Sequence, residues 1–202
     1  MGRKSDARER ILEASTALFQ QRAYASIGVA EICSAAGVPK GSFYYFFPSK
    51  QALALEVINA HWIKQGAQWS GILTSSEPAL DRLRKLFLAT AEVQTTALKG
   101  TGSVTGCLFG NLALEVSAQD NPVRERLQQI FEEQIDLIEA AVREGAAAGE
   151  FAGVDPRGAA KSIVAQIEGM VLFAKLFNDP GQLDALWQNS LSLLGLQPAP
   201  AT

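Results

Sequence analysis

Cysteine and histidine are almost missing from this chain: Cys33, Cys107 and His61 are all that 202 residues contain. Two cysteines are too few for a disulfide framework. One imidazole and two thiols, far apart in sequence, make a poor transition-metal site. They also leave a cysteine-dependent enzyme only His61 as a base for Cys107. No catalytic, cofactor or metal site is therefore expected, and the cysteine-dependent enzyme stands as a remote alternative. Long apolar runs are lacking too, since nothing approaches the ~20 uncharged residues of a membrane-spanning helix. Met1 to Asp6 is basic, but no apolar stretch follows it, so no secretory leader is expected. A reduced, cytoplasmic location is the simplest expectation. Strand-like alternation bounded by turns is also absent.

What remains is an ordinary globular composition, 48% hydrophobic and 19% charged, enough to bury a core. The net charge of -3 hides an asymmetry: residues 1–50 carry +3 and residues 51–202 carry -6. A basic head on an acidic body suits a modular DNA binder, because only the head must meet phosphates. Ordinary fluctuation of charge along a chain is the plainer account of the same numbers.

Helical periodicity dominates. The expected order is all-α, about nine helices. The first spans about Ser5 to Arg22, with Ile11, Leu12, Ala14, Ser15, Leu18 and Phe19 on one stripe. Two short helices follow, about 28–36 and 39–47. Pro48–Ser49 breaks the chain, and Ser49 is placed to cap a long helix reaching Leu73. Pro78 opens the next, to about Lys99. Gly100 to Gly106 reads as a flexible loop from its composition. A short apolar helix follows from Cys107 to about Ala118. Asn121–Pro122 starts a long amphipathic helix ending at Gly149, Asp155–Pro156 starts another reaching Asp179, and a last helix runs to about Leu196. Residues 197–202 are expected to fray. These breaks divide the chain into a head, 1–48, and a body, 49–202.

Residues 28–47 carry the main functional signal. Two short helices that cross steeply need a small residue at the crossing, a glycine in the turn and an apolar shared core. Cys33 is small, and Gly37 stands four residues later, where a left-handed backbone is expected. Ile32, Ala36, Val38, Phe43 and Phe46 or Phe47 are spaced to fill the core. Pro39 opens the second helix without losing a hydrogen bond. Lys40, Gly41 and Ser42 then occupy the end that a helix-turn-helix points into the major groove. The small Gly41 and Ser42 permit close backbone approach, and the Tyr44 and Tyr45 hydroxyls can reach phosphates or bases. Lys50 lies at the next helix N-terminus, beside a phosphate position. A helical hairpin that packs its aromatic residues into a core, with both lysines merely solvated, is the competing account.

The run Ala36-Gly-Val-Pro-Lys-Gly-Ser-Phe-Tyr-Tyr-Phe-Phe-Pro-Ser-Lys50 resembles the signature of the tetracycline-repressor (TetR) family. The resemblance implies an all-helical homodimer whose three N-terminal helices bind a palindromic operator. It implies DNA contacts at Lys40, Gly41, Ser42, Tyr44, Tyr45 and Lys50. Two departures stand out: Phe46 replaces a common histidine, and Ile27–Gly28 replaces the usual Thr-Ser or Thr-Thr. Ser26 then stands in for the missing hydroxyl, so Ser26 and Gly28 join the DNA-contact set. Val38 to Tyr44, with Gly106-Cys107-Leu108, is similar to a narrower branch that includes the repressor of N-ethylmaleimide reductase. Some members of that branch sense electrophiles or oxidants through a cysteine.

Local chemistry points the same way. Cys107 follows a glycine-rich loop and opens a helix, where N–H groups and the helix dipole favour a thiolate. A thiolate adds to quinones and enals and is oxidised by hypohalous acids. Lys175 interrupts the apolar run 170–177. Facing inward, it would favour that thiolate or react with an oxidised sulfur; facing outward, it would pair with Asp179. For Cys107, burial as a small hydrophobe is the alternative. Without cysteine chemistry, an apolar pocket for a reversible ligand is expected, lined by Trp62, Trp69, Phe87, Phe109 and Phe173. His61 is expected on the connecting helix, with a pocket-facing position as the alternative. Glu115 and Glu168 are candidates for orienting a polar ligand or for pairing between helices. The last two helices carry the wide apolar faces that the resemblance assigns to a four-helix dimer interface.

Overall fold

The computed structural model describes residues 2–116 and 120–196, with nine α-helices and no strand among them. They are α1 (Gly2–Gln21), α2 (Val29–Ala36), α3 (Lys40–Phe46), α4 (Lys50–Leu73), α5 (Ala79–Thr101), α6 (Leu108–Val116), α7 (Asn121–Ala148), α8 (Pro156–Phe177) and α9 (Leu186–Leu193). Two 3-10 segments, Tyr24–Ser26 and Pro180–Ala185, complete the order. The all-α expectation and the helix order hold. The last helix differs: its first half is the 3-10 segment, because Pro180 follows Asp179, whose carboxylate accepts from Gly181 N at 2.9 Å and holds a tight turn. The tail expected to fray, and the end of the short helix near Ala118, lie outside the described residues.

The chain packs as two compact units, Met1–Lys64 with Cys107–Gln129, and Gln65–Gly106 with Ile130–Thr202. In the first, α1 packs on α2, α3 and α6, and α6 also meets the Tyr24–Ser26 turn. Ile11, Phe19, Ile32, Phe43 and Phe47 are fully buried there, and Cys33, Ala36 and Val38 close the helix crossing. Gly37 takes φ +63 and ends α2 with bonds from its own N–H to Ser34 O and from Val38 N to Cys33 O. Ser49 Oγ accepts from Ala52 N at 3.0 Å, the expected cap of α4.

In the second unit, α5, α8, α9 and the Pro180–Ala185 segment pack together. Pro78 offers α5 no side-chain cap, so Glu150 supplies one from beyond the end of α7: its two oxygens accept from Ala79 N and Leu80 N at 2.8 and 2.9 Å. Gly145 makes room for that junction. A Cβ there would sit 2.7 Å from Ala79 and the Phe151 ring. Arg157, near the start of α8, is bound to α7 through Glu132, Asp136 and Glu139.

The segment expected to be a flexible loop is not a free one. Gly100 and Thr101 extend α5, and residues 102–106 are held by two side-chain amides. Asn178 Oδ1 accepts from Val104 N at 2.8 Å and its Nδ2 donates to Gly102 O at 3.3 Å. Gln94 holds Gly106 by both its N–H and its carbonyl. Composition announced the glycines but not these partners.

Candidate functional site

The α3 helix is seated by Phe43, with Phe47 just beyond its end, both fully buried, and this turns the remaining residues outward. Lys40 and Gly41 are exposed, Ser42 is half-buried, and Tyr44 and Tyr45 are 52% and 66% exposed. Two tyrosines so exposed on a seven-residue helix turn that face towards solvent. Gly41 and Gly28 have no heavy atom within 4 Å of an added Cβ. Nothing in the fold requires glycine at either position.

Ser26 and Gly28 occupy the approach to α2. The Ser26 hydroxyl is exposed but donates to Ala23 O at 2.7 Å, within its own turn. Gly28 is the residue before α2 and contributes no side-chain cap. Lys50 has a structural task that its spacing did not reveal. Its Nζ donates to Tyr24 O at 2.9 Å and Ile27 O at 3.0 Å, and lies 4.3 Å from the centre of the Tyr24 ring. The ammonium thereby ties the start of α4 to the turn that leads into α2. Burial lowers the Lys50 pKa, opposed by the charge of Glu115. Burial, with Asp120 adding to it, pushes the Tyr24 hydroxyl up to about 12.

Cys107 is half-buried and immediately precedes α6. Gly110 N donates to its Sγ at 3.4 Å, and Asn111 N donates to its carbonyl at 2.9 Å. The thiol thus accepts from an N–H of the first turn of α6. At the other end of α6, Glu115 accepts from Ala25 N at 3.4 Å, so this carboxylate pairs between elements. Cys33 is 5% exposed in the helix crossing, and burial raises its pKa, with Lys40 opposing.

The aromatic residues named for an apolar pocket fall in different places. Trp62 and Phe109 meet edge-on at 6.1 Å, and His61 meets Phe109 at 5.3 Å, all in the first unit. Trp69 and Phe87 are buried in the second, where Phe87 meets Trp187. Phe173 is 47% exposed on α8 and stacks on Phe177. Lys175 is half-buried in the last turn of α8.

His61 lines a cleft of about 510 Å³ between α1 and α4, with Leu12, Thr16, Glu13, Ala60 and Lys64 among its walls. Burial, and secondarily Lys64, lower its pKa below the ordinary 6.5. Protonation thus favours the unfolded chain, and stability falls as pH drops from 6.5 towards the folded-state value. The thermal midpoint of His61→Gln should therefore fall less between pH 7.5 and 5.5 than that of the parental protein. Equal losses in the two proteins would remove His61 as the cause.

Three basic N-terminal helices with an exposed polar helix face, in a chain whose described residues are all-helical, are the arrangement of a helix-turn-helix DNA-binding regulator. Comparison with known proteins makes this specific. Residues 11–57 match the bacterial regulatory proteins of the tetR family, and residues 79–189 match the tetracyclin repressor-like C-terminal domain. The chain is 31% identical over 183 residues to the transcriptional repressor DhaR of Mycobacterium sp. (strain GP1), covering 90% of this chain and 88% of that protein. Its fold is similar to the reduced form of NemR of E. coli, with a TM-score of 0.78 and 26% identity over 96% of this chain and 99% of that one. A TetR regulatory protein from Rhodobacter sphaeroides superposes with a TM-score of 0.82 and 30% identity, over 93% and 98% of the two chains. The chain belongs to the TetR family of bacterial regulatory proteins; it is a transcriptional regulator, not an enzyme. Among the described residues no helix is long and apolar enough to cross a membrane.

Sequence reasoning did not find Gln94, Asn178 or Glu150. Each pairs with backbone groups brought close only by the fold, and only the glycines at 102 and 106 hinted that the loop needed partners.

Proposed function

We propose that this chain is a one-component repressor of the cytoplasm, in which the head, 1–48, binds a palindromic operator and the body, 49–202, senses an effector. The observation that carries the DNA-binding half is the outward face of α3: Lys40, Gly41, Tyr44 and Tyr45 are exposed around a closed aromatic seat. Ser26, Gly28 and Ser42 extend that face, and Lys50 supports it by holding the turn before α2. The active species is a homodimer. Leu172, Phe173, Leu176 and Phe177 are 53%, 47%, 70% and 61% exposed on α8, an apolar face of the kind that a second copy covers. Two-fold symmetry then sets the two α3 helices about 34–36 Å apart, on half-sites one DNA turn apart.

The effector is an electrophile that modifies Cys107. The sulfur is half-buried at the start of α6, with the Gly110 N–H directed at it. With an α,β-unsaturated carbonyl compound, the thiolate sulfur bonds to the β-carbon and the π-electron pair moves to form an enolate. The enolate takes a proton from water, and nothing leaves. An adduct shifts the start of α6, whose far end meets the turn before α2 through Glu115 and Ala25. Release is then a population shift towards a head arrangement that fits the operator poorly. A reversible ligand without cysteine chemistry is the second reading, supported by the Trp62, Phe109 and His61 cluster beside the cleft.

The test is to recover genomic fragments retained by the purified chain, then treat the complexes with an enal, a quinone or reversible apolar ligands. Retention that weakens steeply with salt, and release by the enal with one adduct at Cys107, are expected. Absence of salt-dependent retention refutes the repressor. Release only by reversible ligands favours the second reading.

A further inference from the structure

Glu9, Leu12 and Glu13 share one stripe of α1, and with Ala60, His61 and Lys64 of α4 they line the cleft of about 510 Å³ between the two helices. That volume suits a small organic molecule. Leu12 and Ala60 are only half-buried, so the cleft keeps apolar surface that neither helix covers. Phe109 backs the His61 ring edge-on at 5.3 Å, and burial keeps the imidazole neutral at pH 7. A neutral imidazole offers one donor and one acceptor and adds no positive charge. The charges of the cleft are therefore the Glu9 and Glu13 carboxylates against the single ammonium of Lys64. The neighbouring cations of α1 are engaged elsewhere, Arg8 with Glu56 and Arg10 with Asp6. Among the described residues, neither Glu9 nor Glu13 has an ion-pair partner.

We infer that the cleft between α1 and α4 binds a small organic cation, a protonated amine carried on an apolar body. The ammonium stands beside the Glu9 and Glu13 carboxylates, one helical turn apart, and the apolar body covers Leu12 and Ala60. Lys64 is exposed on a flexible stem and turns to water as the cation enters. An organic anion would meet two carboxylates, and a polyamine would leave the apolar floor uncovered. α1 packs on α2 and α3, so a ligand held here touches the helix that seats the DNA-binding pair. The inference deepens the reversible-ligand reading by naming the class of ligand, and it rests on that reading's cleft.

His61 is the only histidine of the chain, so its imidazole resonances report on the cleft without ambiguity. The full chain, isotopically labelled at histidine, is titrated in low salt with phenylbutylamine. Phenylbutanol and phenylbutyrate serve as the neutral and anionic analogues. The amine is expected to shift the His61 signals saturably, the alcohol more weakly and the butyrate not at all. Glu13→Gln is expected to weaken the amine about threefold, and the double variant with Glu9→Gln about tenfold, as exposed ion pairs allow. Lys64→Gln removes the opposing charge and is expected to bind the amine at least as tightly. Ala17→Phe, further along the same stripe of α1, fills the cleft and is expected to remove the saturable shift. All four substituted positions are exposed, so an unchanged thermal midpoint is expected in every variant.

Equal affinity for the three probes would make the cleft a general apolar groove and overturn the inference. Binding weakened as much by Lys64→Gln as by Glu13→Gln would do the same, because the carboxylates would then not select the charge. Unchanged binding to Ala17→Phe would put the amine elsewhere on the molecule. None of these measurements involves DNA. An amine that saturates the His61 shift without releasing operator would refute the reversible-effector reading and leave the site standing. A His61 signal that the amine does not move overturns the site, whatever releases the DNA.

Discussion

Cys107→Ser is expected to remain on operator DNA at enal concentrations that release the parental protein, with a response at least tenfold weaker. Its affinity for DNA without effector should stay within about twofold. The substitution is well suited to isolating the chemistry. A serine hydroxyl at the residue before α6 accepts the Gly110 N–H as readily as sulfur does, so the helix start is preserved. What is lost is the sulfur nucleophile. Cys33 cannot take over, because it is 5% exposed and burial holds it in the thiol form. A tenfold difference in release corresponds to about 1.4 kcal/mol of coupling, within the 1–3 kcal/mol usual between two sites. Fluorescence anisotropy of a labelled operator, titrated with the enal, measures both quantities. Parental-like release by Cys107→Ser would remove the thiol from the mechanism and leave a reversible ligand.

The DNA-binding head was legible because its determinants are local. Gly37 at φ +63, Pro39 opening α3, and the buried Ile32, Phe43 and Phe47 all lie within twenty residues, and each restricts the backbone or the core by its own chemistry. Helix boundaries elsewhere followed from prolines and caps for the same reason. The exceptions are pairings across the fold. Lys50 looked like a phosphate ligand from its position after Pro48–Ser49, but the carbonyls of Tyr24 and Ile27 compete for its ammonium. Glu150 caps a helix that starts 71 residues earlier. The amides of Gln94 and Asn178 turn a glycine-rich stretch into a held one. Periodicity reports which face of a helix is apolar, not which polar side chain meets a distant peptide group. Aromatic residues were hardest to place: Phe173 reads as a pocket-lining residue from its apolar neighbours, yet it is 47% exposed on α8.

Gly41→Leu should uncouple folding from DNA binding. In the isolated protein a Cβ at Gly41 meets nothing within 4 Å, and the residue is exposed in the first turn of α3. Glycine is roughly 0.8–1.0 kcal/mol worse than alanine inside a helix, and leucine ranks close to alanine, so the thermal midpoint should hold or rise. Position 41 lies one turn before Tyr44 and Tyr45, on the face that meets the operator in the proposed complex. There a leucine side chain would stand between the helix backbone and the groove. Both half-sites of a dimer would carry the obstruction, at roughly 1–3 kcal/mol each by analogy with overpacked cores. Operator affinity should therefore fall on the order of 100-fold, while the dimer and its circular dichroism stay unchanged. Undiminished affinity in this variant would mean that α3 does not enter the groove. A parallel loss of stability would mean that Gly41 serves the fold after all. The expected combination, a more stable head that no longer binds, identifies a glycine kept for its DNA partner.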